Sequence, residues 1–338
     1  MKKTRKNKNF PKKVLLLPLL IVAIYFLIIF NSEIFNSEIF NGEKNSLEII
    51  DVHEHIMLDE KETPQLVSLM DEMKISKMIL VDTPSITFGK NNRFEDYDKN
   101  VEQQLRMKVR YPDRFMVLYT YSPDDLNGPK KTEEYFKQGM KGISGLKFYN
   151  GVILAFSNLT DFDPINSTRM YAAYQKAREL HLPVTIHVEA LLADQFEQFE
   201  QVLTDFPDVT FICPHLCAVE SMLSVLESML ARHSNLYVDS GPWHRVGTFA
   251  IEEPEKFRDF FIRHSDRIMF GTDVVRATDV NKKLDMKAWI QCEKDLLEKK
   301  EFTCYKEDGI LKGLNLPFDT LKNIYEVTPR KVYKEAGA

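Results

Sequence analysis

The chain has 338 residues, 44% hydrophobic and 28% charged, which is enough to bury one large core or two small ones and excludes a disordered chain as the default. Its formal net charge is −5, so no global basic field exists to hold DNA or RNA, and nucleic acid is excluded as an expected partner. The N-terminus departs from this balance. Residues 1–13, MKKTRKNKNFPKK, form a basic flank with seven Lys or Arg, followed directly by an uncharged apolar run over residues 14–30. That run is at the short end of the roughly 17 to 25 residues that span a bilayer, and Pro18 near its start is tolerated there. A cleaved signal peptide is the competing reading, but no small-x-small cleavage site comes after the run, so a transmembrane signal-anchor helix is preferred. The basic flank then stays cytoplasmic, which predicts a single-pass membrane protein whose body lies outside the cytoplasm. Residues 31–45 carry NSEIF twice, too few copies for a solenoid, and read as a polar tether.

From residue 46 to 338 short apolar, β-branched runs alternate with longer amphipathic stretches. The eight runs are LEIIDVHEHI, KMILVDTPS, FMVLYTYSP, GISGLKFYN, PVTIHVEA, VTFICPHLC, NLYVDSGPW and RIMFGTDVV. Stretches such as Glu95 to Tyr111, Ser167 to His181 and Val219 to His233 supply crossover helices. Near-continuous apolar strands, each followed by a helix, describe a parallel sheet buried on both faces. Eight repeats predict an α/β fold of the (β/α)8 TIM-barrel type. A doubly wound open sheet is the alternative, and no G-x-G-x-x-G comes after the first strand to support its dinucleotide-binding version. The tail GLNLPFDTLKNIYEVTPRKVYKEAGA adds C-terminal helices, with Leu314, Leu316 and Phe318 expected to dock them on the barrel.

Chemistry in such a barrel sits at the C-terminal ends of the strands. Side chains at i and i+2 of a strand share a face, so His53 and His55 aim two imidazoles at one point. Taken alone the pair decides nothing between a metal site and two neighbouring histidines. Further polar groups end the other runs: Lys147 on strand four, His187 and Glu189 on strand five, His215 on strand six, Trp243, His244 and Arg245 after strand seven, and Asp273 on strand eight. Each has an ordinary structural explanation alone; Asp273, for instance, is a good helix cap. Together they deliver metal-binding or acid-base groups to one barrel mouth, which favours a functional site. His181, His233 and His264 fall in helical or helix-end contexts, where a solvated role is expected.

With DVHEH, GLKFY, TIHVEA, CPHLC and FGTDVV in this order, followed by LPFDTLKNIYEVTPRKVY, residues 47–335 resemble the amidohydrolase superfamily. The resemblance is closest to the amidohydrolase-related branch that includes aminocarboxymuconate-semialdehyde decarboxylase and pyrone-dicarboxylate lactonase. It implies that His53, His55, His187 and Asp273 are metal ligands, that Asp273 is also the catalytic base, and that His215 is a catalytic acid-base or electrophilic group beside the metal. Three imidazoles and a carboxylate suit zinc first, with manganese or iron as alternatives. One divalent ion is expected, with Lys147 cationic rather than a carboxylated bridge. Lys147, Glu189, Trp243, His244, Arg245 and Arg276 are the candidate substrate-binding residues, and the cations among them suit a small anionic substrate.

The expected activity is metal-dependent hydrolysis of a carboxylate-bearing ester, lactone or amide. A nonoxidative decarboxylase or hydratase of the same family is the alternative, and a membrane-tethered binding domain without turnover is a second one. Association of like chains stays open. Many relatives carry glycine two residues after the strand-six histidine, where this chain has Cys217. Cys213 and Cys217 read as two small buried residues around a strand end rather than half of a zinc site. A disulfide between Cys292 and Cys304 is undecided by sequence.

Overall fold

The eight apolar runs all become strands, in order and parallel to their neighbours. They are β1 (Ile49–Ile56), β2 (Ile75–Val81), β3 (Phe115–Thr120), β4 (Gly142–Ser144), β5 (Val184–Thr185), β6 (Phe211–Cys213) and β7 (Leu236–Asp239), while the eighth run splits into β8 (Ile268–Met269) and β9 (Val274–Arg276). The computed structural model describes residues 47–56, 62–81, 97–121, 123, 125–144, 164–188, 193–276, 283–305 and 307–334. The basic flank, the apolar run and the tether fall outside the described residues, as do Lys147 and Glu189. Among the described residues no helix is long and apolar enough to cross a membrane.

Strand order is β8-β7-β6-β5-β4-β3-β2-β1-β9. The two pieces of the eighth run nearly close this sheet into a (β/α)8 barrel: β8 pairs with β7 through Val238 and Ile268, and β9 pairs with β1 through His55 and Val275. Between the two pieces, the Val52 N–H donates to the Phe270 carbonyl at 2.9 Å.

The alternation of side chains along each strand sorts the core into two layers. Ile50, Val52, Ile79, Val81, Met116, Leu118, Ile212, Tyr237 and Met269 fill the barrel interior together with Val332 and Tyr333 from the C-terminal helix Thr328–Tyr333. Their strand neighbours Leu80, Val117, Val184, Phe211, Val238 and Phe270 face outward into the helix layer. β1, β2, β3, β6, β7 and β8 therefore carry apolar residues on both faces, which is why their sequences read as runs rather than alternations.

One helix shows both of its end signals. The helix Thr168–Leu180 starts where the Ser167 side chain accepts from Met170 N–H, and it ends at His181, which takes the left-handed conformation at φ 54°. Leu314 and Leu316 are buried as expected, whereas Phe318 is 42% exposed. Phe318 opens the helix Phe318–Lys322, where much of its ring stays in solvent. The docking comes instead from residues further along the tail: the Tyr325 ring meets Phe270 edge-on at 5.1 Å, its hydroxyl donates to Glu298 at 2.9 Å, and the Phe270 N–H donates to the Ile324 carbonyl at 3.1 Å.

All four cysteines pair. Cys292, in the helix Lys283–Glu298, is bonded to Cys304 beyond the short strand Glu301–Phe302. Cys213 and Cys217 are also disulfide-bonded, which corrects the expectation of two separate small buried residues. The reason is a tight turn after β6 that brings their Cα atoms to 5.0 Å, inside the range a disulfide spans.

Candidate metal centre

The two histidines of β1 reach the barrel mouth because the strand is bulged. A strict period of two would send His53 outward with Ile49, since Ile50 and Val52 occupy the interior. The register with β2 slips instead: Asp51 pairs with Met78 and Glu54 with Leu80, so three steps of β1 match two of β2. One extra residue re-aims the side chains beyond it. His53 and His55, both buried, then bring their Nε2 atoms to 3.0 Å from each other.

Asp273 arrives from the break between β8 and β9. Its backbone N–H donates to the His53 carbonyl at 2.8 Å, and its φ of 49° lies in the left-handed region, which Asp enters more readily than most residues that carry a Cβ. That turn places Asp273 Oδ1 3.4 Å from His53 Nε2 and 3.3 Å from His55 Nε2. His215, at the end of β6, sets its Nε2 3.7 Å from Asp273 Oδ2 and stacks its ring on His53 at 5.2 Å between centroids. His187, after β5, meets the His215 ring edge-on at 4.7 Å. The structure therefore gathers His53, His55, His187, His215 and Asp273, contributed by four separate parts of the barrel.

Behind them stands Asp239, a residue that the sequence pattern did not single out. The last residue of β7, it accepts from His53 Nδ1 at 2.9 Å on one oxygen and from the His215 backbone N–H at 2.9 Å on the other. One buried carboxylate thereby fixes two histidines. It ends an apolar strand just as His53 does, and that position was the signal available to find it. The strands come close enough for this because of glycine: a Cβ on Gly271 would lie 3.0 Å from the His53 Cβ and 3.1 Å from the Asp239 Cβ, and one on Gly241 would lie 2.1 Å from the Gly271 carbonyl oxygen.

Further acids line the same wall. Asp51 accepts from the His53 N–H at 3.2 Å, from the Thr272 N–H at 3.1 Å and from the Thr272 hydroxyl at 2.7 Å. Burial pushes its carboxyl up to about 6 against these hydrogen bonds. Glu54 is pushed well above the carboxylate range by burial and then by the Asp51 charge. Glu293, from the helix Lys283–Glu298, is raised likewise by burial and then by Asp239 and Asp51. Asp273 is the exception. Burial pushes it up, yet the imidazoles of His53, His55 and His215 together outweigh burial and hold it well below the usual range. The Asp273 carboxylate is thus held toward its ionised form by the imidazole cluster.

His215 has a defined tautomer. Its Nδ1 lies 2.7 Å from the Gly241 carbonyl oxygen, and a carbonyl only accepts, so Nδ1 carries the proton. Burial pushes this imidazole well below its ordinary value despite the Asp273 charge. Its Nε2 is therefore a bare acceptor facing Asp273.

At the rim, the exposed His244 packs edge-on against Trp289 at 4.8 Å, and the Trp289 indole N–H donates to the Thr272 carbonyl at 2.8 Å. Trp243 is 4% exposed and meets Phe302 edge-on at 6.1 Å in the helix layer. Arg245 is ion-paired with the buried Glu220. The backbone of Arg276 pairs with Ile56 in β9; its side chain, like Lys147 and Glu189, lies outside the described residues.

The donor set fits a divalent cation. With the Nδ1 proton of His53 held by Asp239, its Nε2 presents a lone pair to His55 Nε2 and to Asp273 Oδ1, a buried oxygen with no hydrogen-bond donor among the described residues. Three such donors spaced 3.0, 3.3 and 3.4 Å apart match the separations of about 3.0 to 3.5 Å between ligands that share an ion at about 2.0–2.2 Å. Asp239 approaches His53 from the opposite ring edge, the place that the carboxylate partner of a metal-ligating histidine takes. Asp239→Asn, which keeps the shape and removes the charge, is accordingly expected to weaken metal binding by about 10- to 100-fold. Chelator competition measures this, and an unchanged affinity would remove Asp239 from the centre.

Residues 50–334 match a family model described as Amidohydrolase. No curated protein matches the chain by sequence. Among solved structures, a probable 2-pyrone-4,6-dicarboxylic acid hydrolase from Acinetobacter baumannii, with citric acid bound, is 13% identical over 85% of this chain and 100% of that one, with a TM-score of 0.58. The 4-oxalomesaconate hydratase from Rhodopseudomonas palustris is 17% identical over 85% and 95%, with a TM-score of 0.57. The 2,6-dihydroxybenzoate decarboxylase from Rhizobium is 12% identical over 86% and 99%, with a TM-score of 0.55. At these identities the likeness is one of fold.

Proposed function

The chain belongs to the amidohydrolase family matched over residues 50–334, and from that premise we propose that it is a metal-dependent hydrolase of small carboxylate-bearing esters, lactones or amides. The observation that carries this reading is the convergence of His53 Nε2, His55 Nε2 and Asp273 Oδ1 within 3.4 Å of one another. His53, His55 and Asp273 hold the ion, with His187 the further ligand; zinc suits this donor set best. A bound divalent cation supplies Lewis acidity and lowers the pKa of a water toward about 7.

The protein groups do the rest. Asp273, ionised and with Oδ2 turned toward His215, accepts a proton and returns it to the leaving group. His215 accepts a proton at Nε2 while the Gly241 carbonyl keeps hold of Nδ1. In that tautomer it polarises a substrate carbonyl only after it has been protonated. Arg245, Arg276 and Lys147 supply the positive charge that a substrate carboxylate requires, and Glu220 holds the Arg245 guanidinium in place. His244 and Trp289 form one wall of the mouth beside the Thr272–Asp273 turn.

The test is a screen of the metal-loaded protein against lactones, amides, esters and aromatic carboxylates, with CO2 release scored separately. Hydrolysis dependent on added metal is the expected outcome. CO2 release or hydration without hydrolysis would replace the hydrolase by a lyase, and inactivity of a fully metal-loaded protein on every panel would leave a binding domain.

The apolar run after the basic flank supports a membrane-anchored enzyme whose barrel lies outside the cytoplasm, and four paired cysteines suit such an oxidising compartment. Full-length protein is then expected in the membrane fraction, with its barrel cleaved by protease added from the non-cytoplasmic side. A barrel protected from that protease until the membrane is broken would reverse the orientation.

A further inference from the structure

The turn that presents His215 is built in an unusual way. His215, Leu216, Cys217 and Ala218 stand in succession at φ 57°, 50°, 58° and 56°. Each of these residues carries a Cβ that disfavours the left-handed region, and no glycine occurs between Cys213 and Glu220 to relieve it. Two hydrogen bonds close the turn on itself, from Cys217 N–H to the Pro214 carbonyl at 2.9 Å and from Val219 N–H to the Leu216 carbonyl at 3.3 Å. Two more hold only its first residue, from the His215 N–H to Asp239 and from His215 Nδ1 to the Gly241 carbonyl. Beside these bonds and the burial of Leu216 and Ala218 there is a covalent tie: the disulfide joins Cys217 to Cys213, the last residue of β6, with both cysteines fully buried.

We infer that the Cys213–Cys217 disulfide is a positioning clamp for His215, which holds the left-handed turn closed so that Nδ1 stays on the Gly241 carbonyl and Nε2 stays aimed at Asp273. The bond spans the three residues Pro214, His215 and Leu216, so the turn cannot unwind toward extended or right-handed backbone without carrying β6 with it. A chain lacking the bond keeps the two hydrogen bonds of the turn and the burial of Leu216 and Ala218 but loses the covalent tie across four successive left-handed residues, so the turn opens more often and takes the imidazole out of its seat when it does. The catalytic consequence rests on the function proposed above for His215; the clamp itself does not.

Per-histidine labelling of the full-length chain by diethyl pyrocarbonate, read by peptide mass spectrometry at matched metal content, tests the clamp without any substrate. The peptide spanning Cys213 and Cys217 is expected about 2 Da light, two hydrogens short of the dithiol. Cys213→Ala with Cys217→Ala is expected to raise the labelling rate of the buried His215 on the order of tenfold through local opening, while His181, His233 and His264 keep their rates. Cys213→Ala with Cys217→Gly is expected to return His215 to within about twofold of the natural chain, because glycine takes a positive φ without penalty. Free thiols at both positions, an unchanged His215 rate in the alanine pair, no rescue by glycine, or a rise shared by all the histidines would each overturn the clamp. Because labelling reads the seat of His215 and not turnover, absence of hydrolase activity leaves this result standing.

Discussion

His53→Ala is expected to reduce bound metal from about one ion per chain to a trace, with affinity falling by more than about the 100-fold that removal of an outer carboxylate costs. The effect is large because His53 has two partners at once. Its Nε2 is one vertex of the donor triangle with His55 and Asp273, and its Nδ1 connects that triangle to Asp239. The barrel itself should survive. Removing the ring leaves Asp239 Oδ2 without its donor, a cost of about 1–3 kcal/mol against the roughly 5–15 kcal/mol that a folded domain typically holds. Asp239 also keeps its second bond, from the His215 N–H. Metal analysis of purified protein, alongside thermal unfolding, separates the two effects. Equal metal in the variant and the natural chain would dissolve the assignment of the centre, whereas loss of metal with a folded barrel supports it.

His215→Ala is expected to do the opposite, keeping the ion and losing turnover by about 10²- to 10⁴-fold, the range for removal of an acid-base group. Its Nε2 lies 3.7 Å from Asp273 Oδ2, whereas His53 and His55 approach the other oxygen, Oδ1. That arrangement sets His215 beside the donor triangle, where a proton can pass to it from a reacting group. The tautomer imposed by Gly241 refines the expectation: an acceptor at Nε2 is what the enzyme loses, so small exogenous bases such as imidazole should restore part of the activity. Metal lost in parallel with turnover would make His215 a ligand and open the possibility of a second ion.

The architecture of the barrel was legible in the sequence because the signals for it are local. A strand that lies between the interior and the helices is mostly apolar on both faces, so all eight runs stood out and all eight form strands. His53, His55, His187, His215 and Asp273 were legible for a related reason: a polar side chain that ends an apolar strand has only the barrel mouth to face. Ends of this kind recur at fixed places in the repeat, and their positions are set before any distance is known.

Other features depend on how distant segments meet. The bulge that turns His53 inward is a mismatch between β1 and β2 and exists only once the two strands are paired. Asp239 lies 186 residues from His53, so its hydrogen bond depends on the barrel bringing β7 opposite β1, with Gly241 and Gly271 letting the backbones approach. The proton on His215 is assigned by a carbonyl 26 residues away, and the partner of Arg245 by the position of Glu220. Phe318 looked like a docking residue from its hydrophobicity alone, but the register of the tail gave that place to Tyr325. Cys213 and Cys217 resembled ordinary buried cysteines until the backbone between them turned left-handed and brought them within bonding distance. Periodicity and residue type determined which groups reach the mouth, because both act over a few residues. Tautomers, second partners and the clamp on His215 were decided by tertiary structure, because each depends on the register and close approach of strands that the chain separates widely.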